Sequence, residues 1–590
     1  MWRSVSIYLY VMNNTLKILL SLTYIVGIFF LSGCGTSQQA SQSTPTDRIV
    51  PSQGSKRIEL LHDQALQHFI EGSALDAKGA FAEAILEYQE ALQSDPNAAI
   101  YFAISRYYLL LSKFDRAVET AGEAVRLEPQ NISYRENLGA IYFNASQTDS
   151  AIHEYEEIVK IDSNYAAAWI ALAHLYQPVQ PQKALEIYEK ILERNGEQLD
   201  ILFQCAQLYT VIGRFDEAAA KYKQMLELDP NNKLLKKQLA ETFAKGGKLD
   251  QARSILETMV ESDSTDAEVV ATLADVYLDQ KRFQNAIDLY EKLLSHGIKN
   301  TEIKFRIGVG FFGLTEHDST LIQKAQGLFE DLHKELPNDW RPYWYLGALA
   351  ANQHKDSLAG TYFEQVTKLE EHHADAWWFF GSSLFEQGQY NKLLEEMEQA
   401  QKAIPNDFRF YLLQGLALTR MEKQEDSIQP LQKAYKLNPK DLNTLSTLAL
   451  TLDGLHRYQE SDRLYEEGLK LDPKSALLLN NYGYSLAERG LQLQRALGMS
   501  KQAVTAEPDN SAYLDTYGWI FFRLENYNDA AVYIEKSVAT GKASAVVHEH
   551  LGDVYLKLGR KEQALTLWKK ALEMDSKNET LKEKILHGAN

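Results

Sequence analysis

Two histidine pairs and two cysteines are the residues of this chain whose types could most readily carry chemistry. His548-Glu549-His550 sets its imidazoles two residues apart. A helix turns such neighbours onto different faces, whereas a shared zinc ion needs the four-residue spacing of H-E-x-x-H. His372-His373 are adjacent and diverge for the same reason. No glycine-rich phosphate loop, G-x-S-x-G elbow or C-x-x-C occurs. The expectation is a chain that is not an enzyme, with no catalytic residue, no metal site and no cofactor. The net charge of −19 argues against nucleic acid, whose phosphates require a basic footprint.

The elements that position these residues are read from Ala545 to Ser576, AVVHEHLGDVYLKLGRKEQALTLWKKALEMDS. Leu551 and Tyr555 are four apart and share one helix face, and Ala564, Trp568 and Ala571 share a face on a second helix. Gly552 and Ala564 lack bulk and let the two helices approach, and Gly559-Arg560 marks the break between them. One such hairpin cannot bury its own apolar face and must stack on copies. The copies are present. Numbering the small residue after Leu551 as slot eight, the series runs from Gly72 through Ser105, Gly139, Ala173 and onward to Gly518 and Gly552. All fifteen members are Gly, Ala or Ser, 33 to 35 residues apart except for 39 between Gly308 and Gly347. The alanine slot of the second helix recurs as well, departing only at Leu393, Ser427 and Ser461, where looser packing is expected. Proline closes many units, from Pro96 to Pro508.

This pattern, L-G-x2-Y…A-x3-W with His548 in the usual tryptophan slot, resembles the tetratricopeptide repeat (TPR) family over roughly residues 65 to 577. The resemblance implies an all-α fold, a right-handed superhelical TPR solenoid of about fifteen helix-turn-helix repeats. It also implies a concave groove lined by slots two, five, nine, twelve and thirteen of the first helices. Those slots hold Trp344 and Trp378 (five), Phe385 (twelve), Tyr484 and Trp519 (nine), Phe522 (twelve) and Arg523 (thirteen). Aromatics and Arg dominate interface energy, so a protein or peptide segment is the expected partner; packing against the next repeat is the competing use of the same rings. The carboxylate clamp of chaperone-binding TPRs is not matched, because Phe102, Arg106 and Ala167 flank Asn137 with the wrong types. Cys205 falls in slot seven and reads as a packed free thiol.

Along the chain, Lys17 precedes an apolar run from Ile18 to Leu31 that ends in Leu31-Ser32-Gly33-Cys34. The run is too short for a span of about 20 residues and suits a signal peptide; Met1 and Met12 both remain candidate starts. LSGC resembles the lipobox of bacterial lipoproteins, which implies cleavage before Cys34 and its lipidation. Acylation anchors the chain without spanning the membrane, and Gly35 after the cysteine favours the outer membrane, periplasmic face. The expected organisation is a lipoprotein signal peptide (1–33), lipidated Cys34 with a disordered tether (34–56), the solenoid (57–577) and a C-terminal capping helix (578–590). Gly313 to Ile322 lengthens one turn by about five residues, which long loops tolerate at little cost.

The segments NNYGYSLAERG (480–490), YLDTYGWIFFRLENY (513–527) and HEHLGDVYLKLGR (548–560), in this order, resemble the C-terminal part of a group of bacterial TPR lipoproteins. Some of that group are outer-membrane adaptors for periplasmic carboxy-terminal processing proteases. The resemblance implies a scaffold or adaptor recruiting a periplasmic protease and its substrates; the alternative is an assembly or export factor for envelope or polysaccharide machinery.

Overall fold

The structure is a computed structural model that describes residues 53–588, with side chains from 62 to 587. The expected signal segment, Cys34 and most of the expected tether lie outside the described residues. Within them the chain forms 31 helices and no strand. None is long and apolar enough to cross a membrane.

Short-range chemistry sets the helix boundaries. A proline ends the approach to each of several first helices, and two residues later an Asn, Asp or Ser side chain accepts the orphan N–H groups of the next turn. Asn131 takes the N–H of Ser133 at 3.1 Å, Asp407 that of Arg409 at 3.0 Å, and Asp441 that of Thr444 at 2.7 Å. The turn inside most hairpins carries a left-handed residue. It is glycine at Gly559 (φ 76°) but Glu525 (φ 63°) one hairpin earlier. In both, the next N–H closes onto the carbonyl five residues back, Arg560 to Tyr555 at 2.8 Å and Asn526 to Phe521 at 2.9 Å.

Fourteen hairpins lie each within one part of the chain. The chain divides between Gly310 and Phe311, within the Thr301–Leu314 helix. Residues 53–310 hold seven hairpins, from Gln53–Asp76 with Phe81–Ser94 to Ala267–Asp279 with Phe283–Ser295. Residues 311–588 hold seven more, from Trp340–Asn352 with Asp356–Leu369 to Ala545–Lys557 with Lys561–Met574; Leu321–Glu335 precedes them and Glu579–Gly588 follows. The first helix starts at Gln53, inside the stretch expected to be tether, where Lys56, Arg57, Glu59, Leu60 and Leu61 supply good helix formers. The long turn near 313–322 appears as the link 315–320.

The packing gives slot eight a specific meaning. A Cβ added to Gly552 would lie 2.5 Å from the Trp568 indole, at Gly139 2.9 Å from Tyr155, and at Gly347 2.8 Å from Phe363. Each pair is sixteen residues apart, so the small residue of the first helix is the seat for the large one of the second. The second-helix alanines are buried to 0 % exposure, Ala359 at 3 %, and Leu393, Ser427 and Ser461 are also at 0 %. The looser packing expected at those three is not seen in their burial. Serine is close to alanine in volume, and the Ser427 hydroxyl is satisfied within its own helix by the Gln424 carbonyl at 2.7 Å.

The slot-eleven tyrosines tie successive hairpins together. Tyr176 donates to Glu156 at 2.6 Å, Tyr277 to Glu257 at 2.7 Å and Tyr555 to Glu535 at 2.8 Å, and Tyr209 also donates to Glu189. In each case the carboxylate sits on the second helix of the preceding hairpin. A cation covers each ring, Lys183 over Tyr176 and Arg560 over Tyr555 among them.

Candidate functional site: the first-helix aromatic surface

The aromatic and arginine residues expected to face a partner all belong to residues 311–588. Trp344 lies on Trp340–Asn352, Trp378 and Phe385 on Ala374–Glu386, Tyr484 on Ala476–Glu488, and Trp519, Phe522 and Arg523 on Ser511–Arg523. Each helix packs against its own return helix, and those from Ala374–Glu386 onward also touch the first helix of the following hairpin. A side chain between two first helices therefore either fills the seam or stands above it.

The structure separates the seven on this point. Trp344 is in the seam, 3 % exposed, with its ring centroid 4.6 Å from His373 and 5.3 Å from Phe363. Burial lowers the pKa of His373, which caps its helix as a neutral ring by accepting the N–H of Ala376 at 3.2 Å. Trp519 is 8 % exposed and donates its indole N–H to Glu488 at 2.5 Å. Tyr484 is half-buried against the same core, and burial pushes its phenol well above the usual range.

Trp378, Phe385, Phe522 and Arg523 are, like Tyr484, half-buried, and Phe522 also packs against the core. Arg409 lies 5.9 Å above the Trp378 ring and Arg420 5.9 Å above Phe385. Phe522 stacks on Trp519, centroids 4.6 Å apart and planes within 10°. Burial disfavours the Arg409 charge, but Asp407 and Asp375, at 2.6 and 2.7 Å, outweigh it and raise the pKa. Arg523 has no carboxylate or hydrogen-bond partner among the described residues. The surface thus offers aromatic faces beside guanidinium groups, of which Arg420 and Arg523 have no carboxylate partner among the described residues.

Slot six, absent from the expected set, carries polar links between first helices. Lys584 reaches Glu549 at 2.7 Å and Asp553 at 2.6 Å, and His550 reaches Asp515 at 2.9 Å. Asn481 donates to Ser446 at 3.0 Å, and Arg306 pairs with Asp275 at 2.5 Å. The signal was present as polar residues recurring 31 or 35 positions apart. His548, by contrast, is buried in its packing slot, with Nδ1 at 2.9 Å from the Ser544 carbonyl.

Family models described as tetratricopeptide repeat match residues 102–166 and 179–233, 212–276, 267–295 and 545–578. A model described as the N-terminal TPR repeats region of Psidin matches 383–490. Together these cover more than half of the chain. Among curated proteins, BBSome complex member BBS4 of Bos taurus is 27% identical over 130 residues, 22% of this chain and 25% of that protein. TPR repeat-containing protein MJ1428 of Methanocaldococcus jannaschii is 23% identical over 161 residues, 27% of this chain and 28% of that protein. The chain therefore matches only about a quarter of the length of these relatives. Among solved structures, the APC/C hetero-tetramer Cut9-Hcn1 aligns over 91% of this chain and 99% of that one, at 15% identity and a TM-score of 0.33. A tetratricopeptide repeat protein from Parabacteroides merdae aligns over 42% and 99%, at 19% identity and a TM-score of 0.29.

Proposed function

Because the chain belongs to the tetratricopeptide repeat family, a repeat scaffold suited to protein–protein interaction, we propose that it is a non-catalytic adaptor lipoprotein of the bacterial envelope. In this reading Cys34 is lipidated and holds the chain on the periplasmic face of the outer membrane. The scaffold then recruits a periplasmic protease together with its substrates. The observation that carries the binding role is the set of half-buried rings Trp378, Phe385 and Phe522 beside Arg409, Arg420 and Arg523. Residues of these types, with apolar bodies and few rotamers to immobilise, contribute most of the energy in interfaces. The lipid anchor rests on LSGC at the end of an apolar run.

The test is affinity capture from bacterial envelope extract with the full chain in detergent, beside a Trp378→Ala, Phe522→Ala, Arg523→Ala variant of unchanged helicity. A carboxy-terminal processing protease retained by the parent and lost by the variant supports the adaptor reading. Retention by both overturns the surface, and capture of export or polysaccharide machinery in its place overturns the role. Separately, Cys34→Ser should move the chain from the membrane to the soluble fraction.

A further inference from the structure

We propose that His68, Glu71 and Glu87 form a divalent-metal site, suited to Zn²⁺, that staples together the two helices of the first described hairpin. His68 and Glu71 are three apart on Gln53–Asp76 and share one face, and Glu87 comes from the return helix Phe81–Ser94. Their ligand atoms all lie within 4.8 Å of one another, and His68 Nδ1 is 2.8 Å from Glu87 Oε2. Ligands about 2 Å from a tetrahedral zinc stand about 3.3 Å apart. Side-chain rotation alone therefore closes this trio on an ion. The expectation of no metal site came from spacing within single helices, and this set is assembled across two.

Two further observations support the assignment. Among the described residues neither carboxylate has a lysine or arginine partner: Glu71 accepts from the Gln67 amide at 3.2 Å, and Glu87 is bonded to His68. Glu87 has only the His68 imidazole for compensation and Glu71 has none, so a divalent ion would supply charge that no lysine or arginine provides. The frame is also fixed at this point. Gly72, next to Glu71, lies so close to Tyr88, next to Glu87, that a Cβ would sit 2.9 Å from the ring. The Ser73 hydroxyl and Tyr88 phenol are 3.1 Å apart. A rigid backbone holding ligands from two helices is what separates a built site from a flexible surface trio.

One imidazole and two carboxylates leave the fourth zinc position open to water or to a ligand from another molecule. The ion's role is structural: it cross-links the helix 53–76 to its return helix.

The test is calorimetric titration of the metal-free full chain with Zn²⁺ alone, with His68→Ala and Glu87→Gln as variants and hydrogen exchange of residues 53–76 as second readout. One ion per chain at micromolar concentration is expected, with affinity falling at least tenfold in each variant, as loss of a ligand requires. Slower exchange of residues 53–76 on adding Zn²⁺ is expected in the parent and absent in His68→Ala. Equal affinity in parent and variants would assign the ion to other groups and overturn the proposal. Absence of binding at about 100 μM Zn²⁺, or binding that leaves exchange in 53–76 unchanged, overturns it too.

Discussion

The imidazole of His550 lies face to face with the indole of Trp519, their centroids 3.9 Å apart and their planes 13° from parallel. Asp515, one turn before Trp519 on the same helix, holds Nδ1 of that imidazole at 2.9 Å, and the pair is 7 % and 8 % exposed. Glu488 takes the indole N–H from the other side. Three successive first helices are thereby joined through one stacked, charged cluster.

That cluster makes stability depend on pH. Burial disfavours the His550 charge, but Asp515, with help from Glu488 and from Asp553 on its own helix, more than offsets it and raises the pKa above 6.5. A raised folded-state pKa contributes stability that is complete below 6.5 and is lost as pH climbs through the raised value. Urea midpoints of the parent should fall over that window. His550→Gln should flatten the dependence, and equal slopes in the two proteins would remove His550 as the cause.

The seats at slot eight predict opposite signs for one substitution. At Gly518 a Cβ would sit 2.5 Å from Ile534 and 3.0 Å from the Ala530 carbonyl, whereas at Gly498 nothing lies within 4 Å. Gly518→Ala should destabilise by about 1–3 kcal/mol through overpacking. Gly498→Ala, in an open helical position, should stabilise by up to about 1 kcal/mol. Chemical denaturation reads both, and matching signs would contradict the seat.

Lys584 joins the last helix to the hairpin before it. Glu549 and Asp553 are 16 % and 17 % exposed, and burial raises the Asp553 pKa even with Lys584 beside it. Lys584→Met leaves both carboxylates uncompensated and should cost about 1–2 kcal/mol locally. Faster hydrogen exchange across 579–588 is the readout. Lys582→Met, which breaks only the exposed pair with Glu579, should change little.

Two tryptophans in the same slot should behave differently. Trp344→Ala empties a buried seam and should cost about 3–5 kcal/mol in urea unfolding. Trp378→Ala removes a half-buried ring and should cost about 1 kcal/mol or less, while weakening partner capture. The reverse order would mean that the seam and the surface had been exchanged.

Burial pushes the Cys205 thiol up to about 12, and the side chain is fully enclosed. Thiol reagents at pH 8 should leave the folded chain unlabelled at this position and label it on denaturation. Rapid native labelling would reveal local opening of the Leu199–Val211 helix.

Much of the fold was legible in the sequence because its determinants are short-range. The slot-eight series, the second-helix alanines and the proline followed by Asx or Ser act within one hairpin or one helix end, over spacings that side-chain chemistry fixes. The slot-eight reading named the small residues and not the large side chains that glycines such as Gly552 seat. Gly552 makes room for Trp568, sixteen residues on, while at Gly518 and Gly483 the second-helix alanines Ala530 and Ala496 also come close through their carbonyls.

The candidate site was legible in residue type and not in exposure. Trp344 and Trp378 stand 34 residues apart in the same slot, and nothing local distinguishes them. His373 and Phe379 of the following hairpin cover Trp344, while Trp378 is only half-buried, with Arg409 over its ring. The links from His550 to Asp515 and from Lys584 to Glu549, like the His68–Glu71–Glu87 trio, likewise join residues from different helices. Local spacing by itself determined that the chain is built of about fifteen helix-turn-helix repeats. Which rings fill the seams, which stand clear of them and which charges meet was decided by how each helix lies against the next, since that alone brings side chains 16 to 35 residues apart into contact.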